Sequence, residues 1–219
     1  MKRFPLSAAL TLSLALAAGA AGAAGVQATA PAQAQGPVPA QAPQAEVEVE
    51  GYKFADSATV NGQKLVLNGA AASSILSMKS TAVAFYLPKK QVTMDGAVGE
   101  KGTKRIHFFM IRDVSARDLS NAMLDRIRQN VSTAEFSANI VSTSQLGTVF
   151  GNRKRVHKGD EVIVDYFPAT KTTEFRLNGE KIGDTIQGES FFPMLMKVWI
   201  GPKVRGSTRD GLLGGAPND

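Results

Sequence analysis

The sequence contains no cysteine and only two histidines, and these absences exclude several kinds of site. Without cysteine the chain has no disulfide, no thiolate metal ligand and no lipid-modified cysteine after its first residues. His107 and His157 are too few to build a transition-metal site from nitrogen and sulfur ligands. We therefore expect no metal and no other cofactor.

The motifs of the common enzyme classes are missing as well. The chain has no phosphate-binding P-loop and no dinucleotide fingerprint. The stretch GESFF around Ser190 does not match the G-x-S-x-G elbow that presents a nucleophilic serine. The residues alone therefore indicate no particular reaction.

The N-terminal segment is typical of a secretory signal peptide. A short basic start, MKR, is followed by an apolar run over residues 6–18 and then by small residues. The apolar run is too short for an ordinary membrane span. We predict a signal peptide over residues 1–24, with cleavage as late as residue 34, and a periplasmic or secreted protein. The alternative is a retained N-terminal anchor.

Beyond the signal, composition divides the chain into three parts. Residues 25–46 are rich in Ala, Pro and Gln and are expected to form a disordered spacer. Residues 47–214 form the predicted domain, which is long enough for a real core, and residues 215–219 form a tail. We expect no membrane span in the mature form, and the oligomeric state stays open.

The positive charge of the chain does not by itself indicate a partner. Loss of Lys2 and Arg3 with the signal lowers the net charge from +6 to +4. The basic cluster Arg153-Lys154-Arg155 has the composition of a nucleic-acid or anionic membrane site. An exported protein does not meet nucleic acid, so we expect no such partner and interpret the cluster as a solvated loop.

Apolar periodicity and turn residues predict the secondary structure. Asn-Gly pairs at 61–62, 68–69 and 178–179 predict tight turns, and Asp95-Gly96 predicts a loop. Ser115 is expected to cap a helix. We predict strands over residues 47–51, 79–87, 104–114, 161–167 and 172–177, and helices over 115–130, 133–150, 189–201 and 207–213.

For two of these segments the sequence predicts which side chains share a face. On the strand over residues 79–87, one face carries Thr81, Val83, Phe85 and Leu87 and the other carries Ala82, Ala84 and Tyr86. On the second helix, the residues expected to point inward are Phe136, Ile140 and Val141. The order of elements predicts an α+β fold whose helices are segregated from a mostly antiparallel sheet.

Three segments together resemble the bacterial branch of the chalcone isomerase family. They are LNGAAASSILSMKSTAVAFYLPKK, then FFMIRDVSARDLSNAM, then LNGEKIGDTIQGESFFPMLMKVWIG followed by DGLLG. The resemblance implies an open-faced β-sandwich, a curved antiparallel sheet with helices packed on one face and a cleft between them. Plant members cyclise chalcones with an arginine that polarises the substrate. Fatty-acid-binding relatives hold a carboxylate in the same cleft with an arginine and a hydroxyl.

The family's pocket residues carry over only in part. The place of the pocket arginine falls on Ser73, and the place of the hydroxyl falls on Thr81. The tyrosine, lysine and asparagine of the catalytic helix fall on Val114, Arg117 and Asn121. A serine offers one neutral hydrogen bond where arginine offers a charged two-pronged donor, so the departure at Ser73 weakens anion binding.

Lys79 is one possible substitute for the missing charge. It shares the predicted face of Thr81 if the strand is regular, although a lysine at the start of a strand is more often exposed to solvent. The ligand-binding residues implied by the resemblance are Ser73, Lys79, Thr81 and Val114.

Three functions remain open from the sequence. The first is a non-catalytic binding protein for a small amphipathic ligand, such as a fatty acid or aromatic acid, held in the sheet–helix cleft. The second is an intramolecular lyase of chalcone isomerase type, with Thr81, Arg117 and Asn121 as catalytic residues. The third is a structural or interaction protein of the cell envelope whose cleft is filled by its own side chains. Fold alone does not decide among them.

Overall fold

The computed structural model describes residues 45–74, 78–151 and 153–215, and the predicted signal peptide lies outside this part. Its strands are β1 (Glu46–Val49), β2 (Tyr52–Ala55), β3 (Ser57–Val60), β4 (Gln63–Ser73), β5 (Thr81–Leu87), β6 (Lys104–Met110), β7 (Val114–Ser115), β8 (Arg155–Val156), β9 (Glu161–Phe167), β10 (Thr172–Leu177) and β11 (Glu180–Gln187). Its helices are α1 (Met94–Gly99), α2 (Ala116–Asn130), α3 (Thr133–Ala138), α4 (Ile140–Thr148), α5 (Phe191–Ile200) and α6 (Gly206–Leu212). The rest of the predicted spacer and tail, residues 25–44 and 216–219, also lies outside the described residues.

Seven strands form one curved antiparallel sheet in the order β11-β10-β9-β6-β5-β4-β3. All seven residues of β5 are buried because both faces of this strand are covered. Val83 and Phe85 belong to the core under the helices, whereas Ala84 and Tyr86 belong to a second core on the outer face. The α+β class and the predicted alternation along this strand are confirmed.

Two of the three predicted Asn-Gly turns are present. Asn61-Gly62 joins β3 to β4 and Asn178-Gly179 joins β10 to β11, and all four residues have positive φ angles. The predicted turn at Asn68-Gly69 is wrong, because β4 continues through it with a shift of register. The Asn68 side chain explains the difference: it donates to the carbonyl of Leu212 at 2.7 Å and accepts from the backbone of Gln91 at 2.6 Å.

The helices lie over one face of the sheet, and α2 and α5 supply most of their apolar side chains. The Ser115 side chain accepts from the backbone N–H of Asp118 and caps α2 as predicted. In α5, eight of ten residues are buried, including Trp199. No helix in the described part of the chain combines the length and the apolar character that crossing a bilayer requires.

One predicted helix and one predicted loop need correction. The predicted helix over residues 133–150 is broken at Asn139, whose side chain accepts a hydrogen bond from Ser190 Oγ at 2.8 Å. The break changes the helical phase, so Ile140 and Val141 are 56% and 70% exposed instead of pointing inward. The predicted loop at Asp95-Gly96 is part of α1, because Thr93 caps that helix by accepting from the backbone N–H of Gly96.

The hairpin β1–β2 covers part of the outer face of the sheet. The ring of Tyr52 stacks on Phe109 with centroids 4.8 Å apart, and its hydroxyl donates to the carbonyl of Met110 at 3.1 Å. Phe54, on β2 of the hairpin, is fully buried against the outer face of the sheet and contacts His107 edge-on. The hairpin begins at Glu46, one residue before the predicted start of the domain.

Because Lys104 is buried, we expect the free energy of unfolding to rise with pH. The side chain is buried at the start of β6, where its Nζ donates to the carbonyl of Val98 at 3.2 Å. Burial lowers its pKa to about 8, whereas an unfolded lysine titrates near 10.4. Between these values the unfolded chain binds more protons than the folded chain, so the free energy of unfolding increases with pH.

Lys104→Met is therefore expected to raise the free energy of unfolding at pH 7 by about 2 kcal/mol and to remove this rise. Urea unfolding at pH 7.0, 8.0, 9.0 and 9.5 measures both effects. The window ends at pH 9.5 because burial raises the pKa of Tyr86 to about 12, which gives the opposite slope above pH 10. Lys64→Met, at an exposed position of β4, is the control. Equal slopes in wild type and Lys104→Met would contradict the prediction.

Candidate functional site

Two of the predicted pocket residues, Ser73 and Thr81, lie directly opposite each other at the ends of β4 and β5. Ser73 is 1% exposed, and Ser80 and Thr81 are 0% exposed. Within the described residues, the hydroxyl oxygens of Ser73, Ser80 and Thr81 have no hydrogen-bond partner. A buried polar group without a partner costs about 1–3 kcal/mol, so this hydroxyl cluster (Ser73, Ser80 and Thr81) is suited to a polar ligand atom or water.

Ser73 and Thr81, two members of the hydroxyl cluster, face the helices. Ser73 follows Ala71 by two residues on β4, and Ala71 belongs to the core under the helical layer. Thr81 likewise precedes Val83, which belongs to the same core, by two residues on β5. The two hydroxyls therefore point from adjacent strands toward the side of the sheet on which α2 lies.

Arg126, on α2, brings a positive charge to the same end of the sheet. Its guanidinium Nη2 donates to the carbonyl of Ser74, the residue that follows Ser73. Burial, and then the positive charge of Arg205, lower the pKa of Arg126. In the part of the chain that the structure describes, neither Arg126 nor Arg205 has an acidic side chain within ion-pair distance.

Arg126 is not among the site residues predicted from the sequence. It flanks the buried stripe of Leu119, Met123 and Ile127 on α2, where a long side chain reaches past the apolar face. This position beside the stripe is the signal that was available in the sequence. The contact joins residues 52 positions apart, so only the folded chain shows what the guanidinium meets.

A groove of about 600 Å³ adjoins this end of the sheet, between β1, β4 and α6. We call it the β4–α6 groove. Its apolar wall consists of Val47, Val49, Leu67, Ala70, Ala71 and Ala72. Three cations line it as well, namely Lys79, Lys90 and Arg205, together with Ser74 and one acid, Glu48. The groove thus combines an apolar wall with an excess of positive charge.

Two other cavities of similar size lack this combination. One, of about 610 Å³, lies at the basic loop of Arg153, Lys154 and Arg155, and Leu177 is the only aliphatic residue among its described lining residues. The other, of about 660 Å³, is lined mainly by hydroxyl and amide side chains of the outer strands. Its acid, Glu174, is paired with Lys181 at 3.0 Å. The β4–α6 groove is therefore the better candidate for an amphipathic anion.

The remaining predicted site residues lie apart from this arrangement. Lys79 lines the groove but is exposed and paired with Glu50 at 2.8 Å. Val114 is buried in β7, and Arg117 and Asn121 are exposed on α2. Their predicted catalytic or binding roles stay predictions. No group of three metal-binding side chains occurs in the described ranges.

Side chains fill the interior between the middle of the sheet and the helices. Trp199 packs against Phe85 and Phe108 with ring centroids 6.3 and 5.8 Å apart, and all three are 0% exposed. A ligand cannot enter this layer without displacing packed aromatic rings. Space for a ligand lies instead along the edge of β4.

Comparison with known proteins agrees with the motif-based resemblance. The model of the chalcone isomerase-like family matches residues 46–214. Among solved structures, the crystal structure of an Arabidopsis thaliana fatty-acid binding protein is similar, with a TM-score of 0.60 and 12% sequence identity. That match covers 75% of this chain and 92% of the plant chain, and at this identity it shows the fold alone. A search of curated proteins found no match. The chain belongs to the chalcone isomerase-like family.

Proposed function

We propose that the protein binds a small amphipathic acid, such as a fatty acid or an aromatic acid, without catalysing its conversion. The observation that carries the proposal is the β4–α6 groove, in which an apolar wall lies beside Lys90 and Arg205, two cations without an acidic partner among the described ion pairs. The plant neighbour, a fatty-acid binding protein, supports the same class of ligand. We also propose that the protein is exported and acts in the periplasm or outside the cell.

The dimensions of the groove suit such a ligand. About 600 Å³ is within the usual range of small-molecule sites. Each methylene group that leaves water for the apolar wall contributes about 0.8 kcal/mol. An acyl chain of moderate length therefore supplies most of the binding free energy, while the cations orient its charged end.

The residues argue for binding rather than for chalcone cyclisation. Ser73 stands where the resemblance places the arginine that polarises the substrate, and one neutral hydrogen bond is a weak substitute. Loss of such a charged donor costs several kcal/mol of transition-state stabilisation. Arg117 and Asn121 are exposed and do not form a closed catalytic pocket with Thr81.

A second candidate function is favoured by the packed interior. The contacts of Trp199 with Phe85 and Phe108 match a protein whose cleft is filled by its own side chains. Such a protein would serve the cell envelope through its surface rather than through a ligand. It would show no saturable uptake of an acid.

Titration calorimetry with dodecanoate tests the proposal on the full chain after removal of bound lipid. We expect one site with a dissociation constant in the micromolar range. Ala70→Phe places a large side chain in the groove and should abolish binding, whereas Ala134→Phe on the exposed surface of α3 should leave it intact. Saturable binding that Ala70→Phe does not change would place the ligand elsewhere. Absence of binding by any acid tested would favour the second candidate.

A further inference from the structure

We propose that the polar end of the β4–α6 groove is a two-arginine site, formed by Arg126 and Arg205, that selects a dianionic head group such as a phosphate monoester. The inference rests on the proposed binding function and names the chemical class of its ligand. The ligand would be a phosphate monoester with an acyl or alkyl chain, rather than a simple fatty carboxylate.

The balance of charge favours a dianion. Arg126, on α2, donates to the carbonyl of Ser74, and Ser74 lines the groove together with Arg205 at the start of α6. Burial, and then the charge of Arg205, lower the pKa of Arg126. Acidic partners of either residue are missing from the described ion pairs. One carboxylate leaves one of these two positive charges without a counter-charge. A phosphate monoester carries about −1.5 to −2 charges at neutral pH and neutralises both.

The number of hydrogen-bond donors also favours a phosphate monoester. Two guanidinium groups offer several N–H donors in fixed forks, and Arg126 commits one of them to the carbonyl of Ser74. The hydroxyls of Ser73 and Thr81 are buried without partners in the described part, at the ends of β4 and β5 next to Ser74. A carboxylate has two acceptor oxygens, whereas a phosphate monoester has three terminal acceptor oxygens that share its negative charge. The larger oxyanion satisfies more of these donors at once.

The two-arginine site is continuous with the β4–α6 groove. Ser74 lines the groove and accepts the hydrogen bond of Arg126, while Arg205 itself is a lining residue. Lys90 adds a further cation to the wall, without an acidic partner among the described ion pairs. A chain lying along Ala70 and Ala72 therefore has its head group beside the two arginines.

Binding of three ligands with the same chain tests the proposal on the full protein. Dodecyl phosphate, dodecanoate and dodecanol are titrated below their critical micelle concentrations at low salt. We expect dodecyl phosphate to bind about tenfold more tightly than dodecanoate, with dodecanol weakest. Inorganic phosphate is a fourth arm, and weak competition in the millimolar range is expected because it lacks the apolar chain.

Variants connect the preference to the arginines. Arg126→Gln and Arg205→Gln should each weaken dodecyl phosphate binding about tenfold and reduce its advantage over dodecanoate. Arg126→Lys keeps the charge without the fork and should lose less. Arg128→Gln is the matched control, because Arg128 lies on the same helix, is exposed and pairs with Asp125 at 3.0 Å. Circular dichroism of each variant identifies any loss of folding, and Arg205→Gln changes an exposed residue whose loss leaves the core intact.

The outcomes separate this inference from the proposed function. If no dodecyl ligand binds, the proposed function itself fails. If all three bind with equal affinity, or if the phosphate advantage persists in both glutamine variants, the groove binds a chain but the two-arginine site is wrong. If inorganic phosphate alone binds as tightly as dodecyl phosphate, the site takes a free phosphate and not the head group of an amphipathic ligand.

Discussion

Gly69→Ala is expected to lower the free energy of unfolding by about 3 kcal/mol and to abolish ligand binding in the β4–α6 groove. Helix α6 lies against β4 at this residue. A Cβ atom on Gly69 would overlap the carbonyl oxygen of Gly211 and lie 2.8 Å from the carbonyl carbon of Leu212. Both are backbone atoms, so the helix has to move as a whole.

Displacement of α6 has consequences beyond one contact. Thr208 Oγ1 donates to the carbonyl of Ala72 at 2.8 Å, and Asn68 Nδ2 donates to the carbonyl of Leu212 at 2.7 Å. β3 pairs only with the first part of β4, so the helix covers the remaining edge of that strand. Moving the helix therefore exposes unpaired backbone groups and removes one wall of the groove.

Urea unfolding and dodecanoate titration measure the two effects of Gly69→Ala. Gly99→Ala is the matched control, because a Cβ atom on Gly99 in α1 meets nothing within 4 Å. We expect the control to keep wild-type stability within about 0.5 kcal/mol. A Gly69→Ala protein as stable as the control would mean that α6 does not pack against β4 at this distance.

Ser73→Arg is expected to lower the free energy of unfolding by about 3 kcal/mol in the absence of ligand. Ser73 is 1% exposed and faces the helical layer opposite Thr81. An arginine there introduces a third guanidinium near Arg126 and Arg205 without an acid to balance it. An anionic ligand should restore part of the lost stability, because it supplies the missing counter-charge.

Thermal unfolding with and without dodecyl phosphate measures this effect. Ser73→Met provides the control, since it adds a long side chain at the same position without charge. We expect the ligand to raise the melting temperature of Ser73→Arg more than that of Ser73→Met. Equal shifts in the two variants would show that residue 73 does not face the ligand's charge.

Local sequence patterns predict the fold correctly where contacts between residues a few positions apart determine the structure. The alternation of β5, the cap at Ser115 and the turns at Asn61-Gly62 and Asn178-Gly179 depend on residues a few positions apart. The same kind of reasoning failed at Asn68-Gly69, where the side chain of Asn68 binds the distant Leu212 and Gln91. It failed again at Asn139, which Ser190 contacts from another part of the chain.

The candidate site likewise combines residues that could be predicted from the sequence with one that only the structure reveals. The resemblance placed Ser73 and Thr81 in one pocket, and the pairing of β4 with β5 places them opposite each other. The arginine that accompanies them was not predicted, because Arg126 comes from a helix and reaches the strand through a contact between distant residues. An alignment of motifs assigns each pocket residue to one position in the sequence. It does not show that a side chain from another element reaches the same place.

By itself, the sequence determined the antiparallel α+β class, since this depends on periodicity and turn chemistry. The resemblance of three sequence segments to the chalcone isomerase family indicated the family and the absence of its pocket arginine at position 73. Tertiary structure alone decided that the interior around Trp199 is packed and that space for a ligand lies along β4. It also decided that Arg126 donates to the carbonyl of Ser74, a residue that lines the groove together with Arg205. The physical reason is that cavities and charge clusters arise where elements distant in sequence approach, and no local pattern encodes that distance.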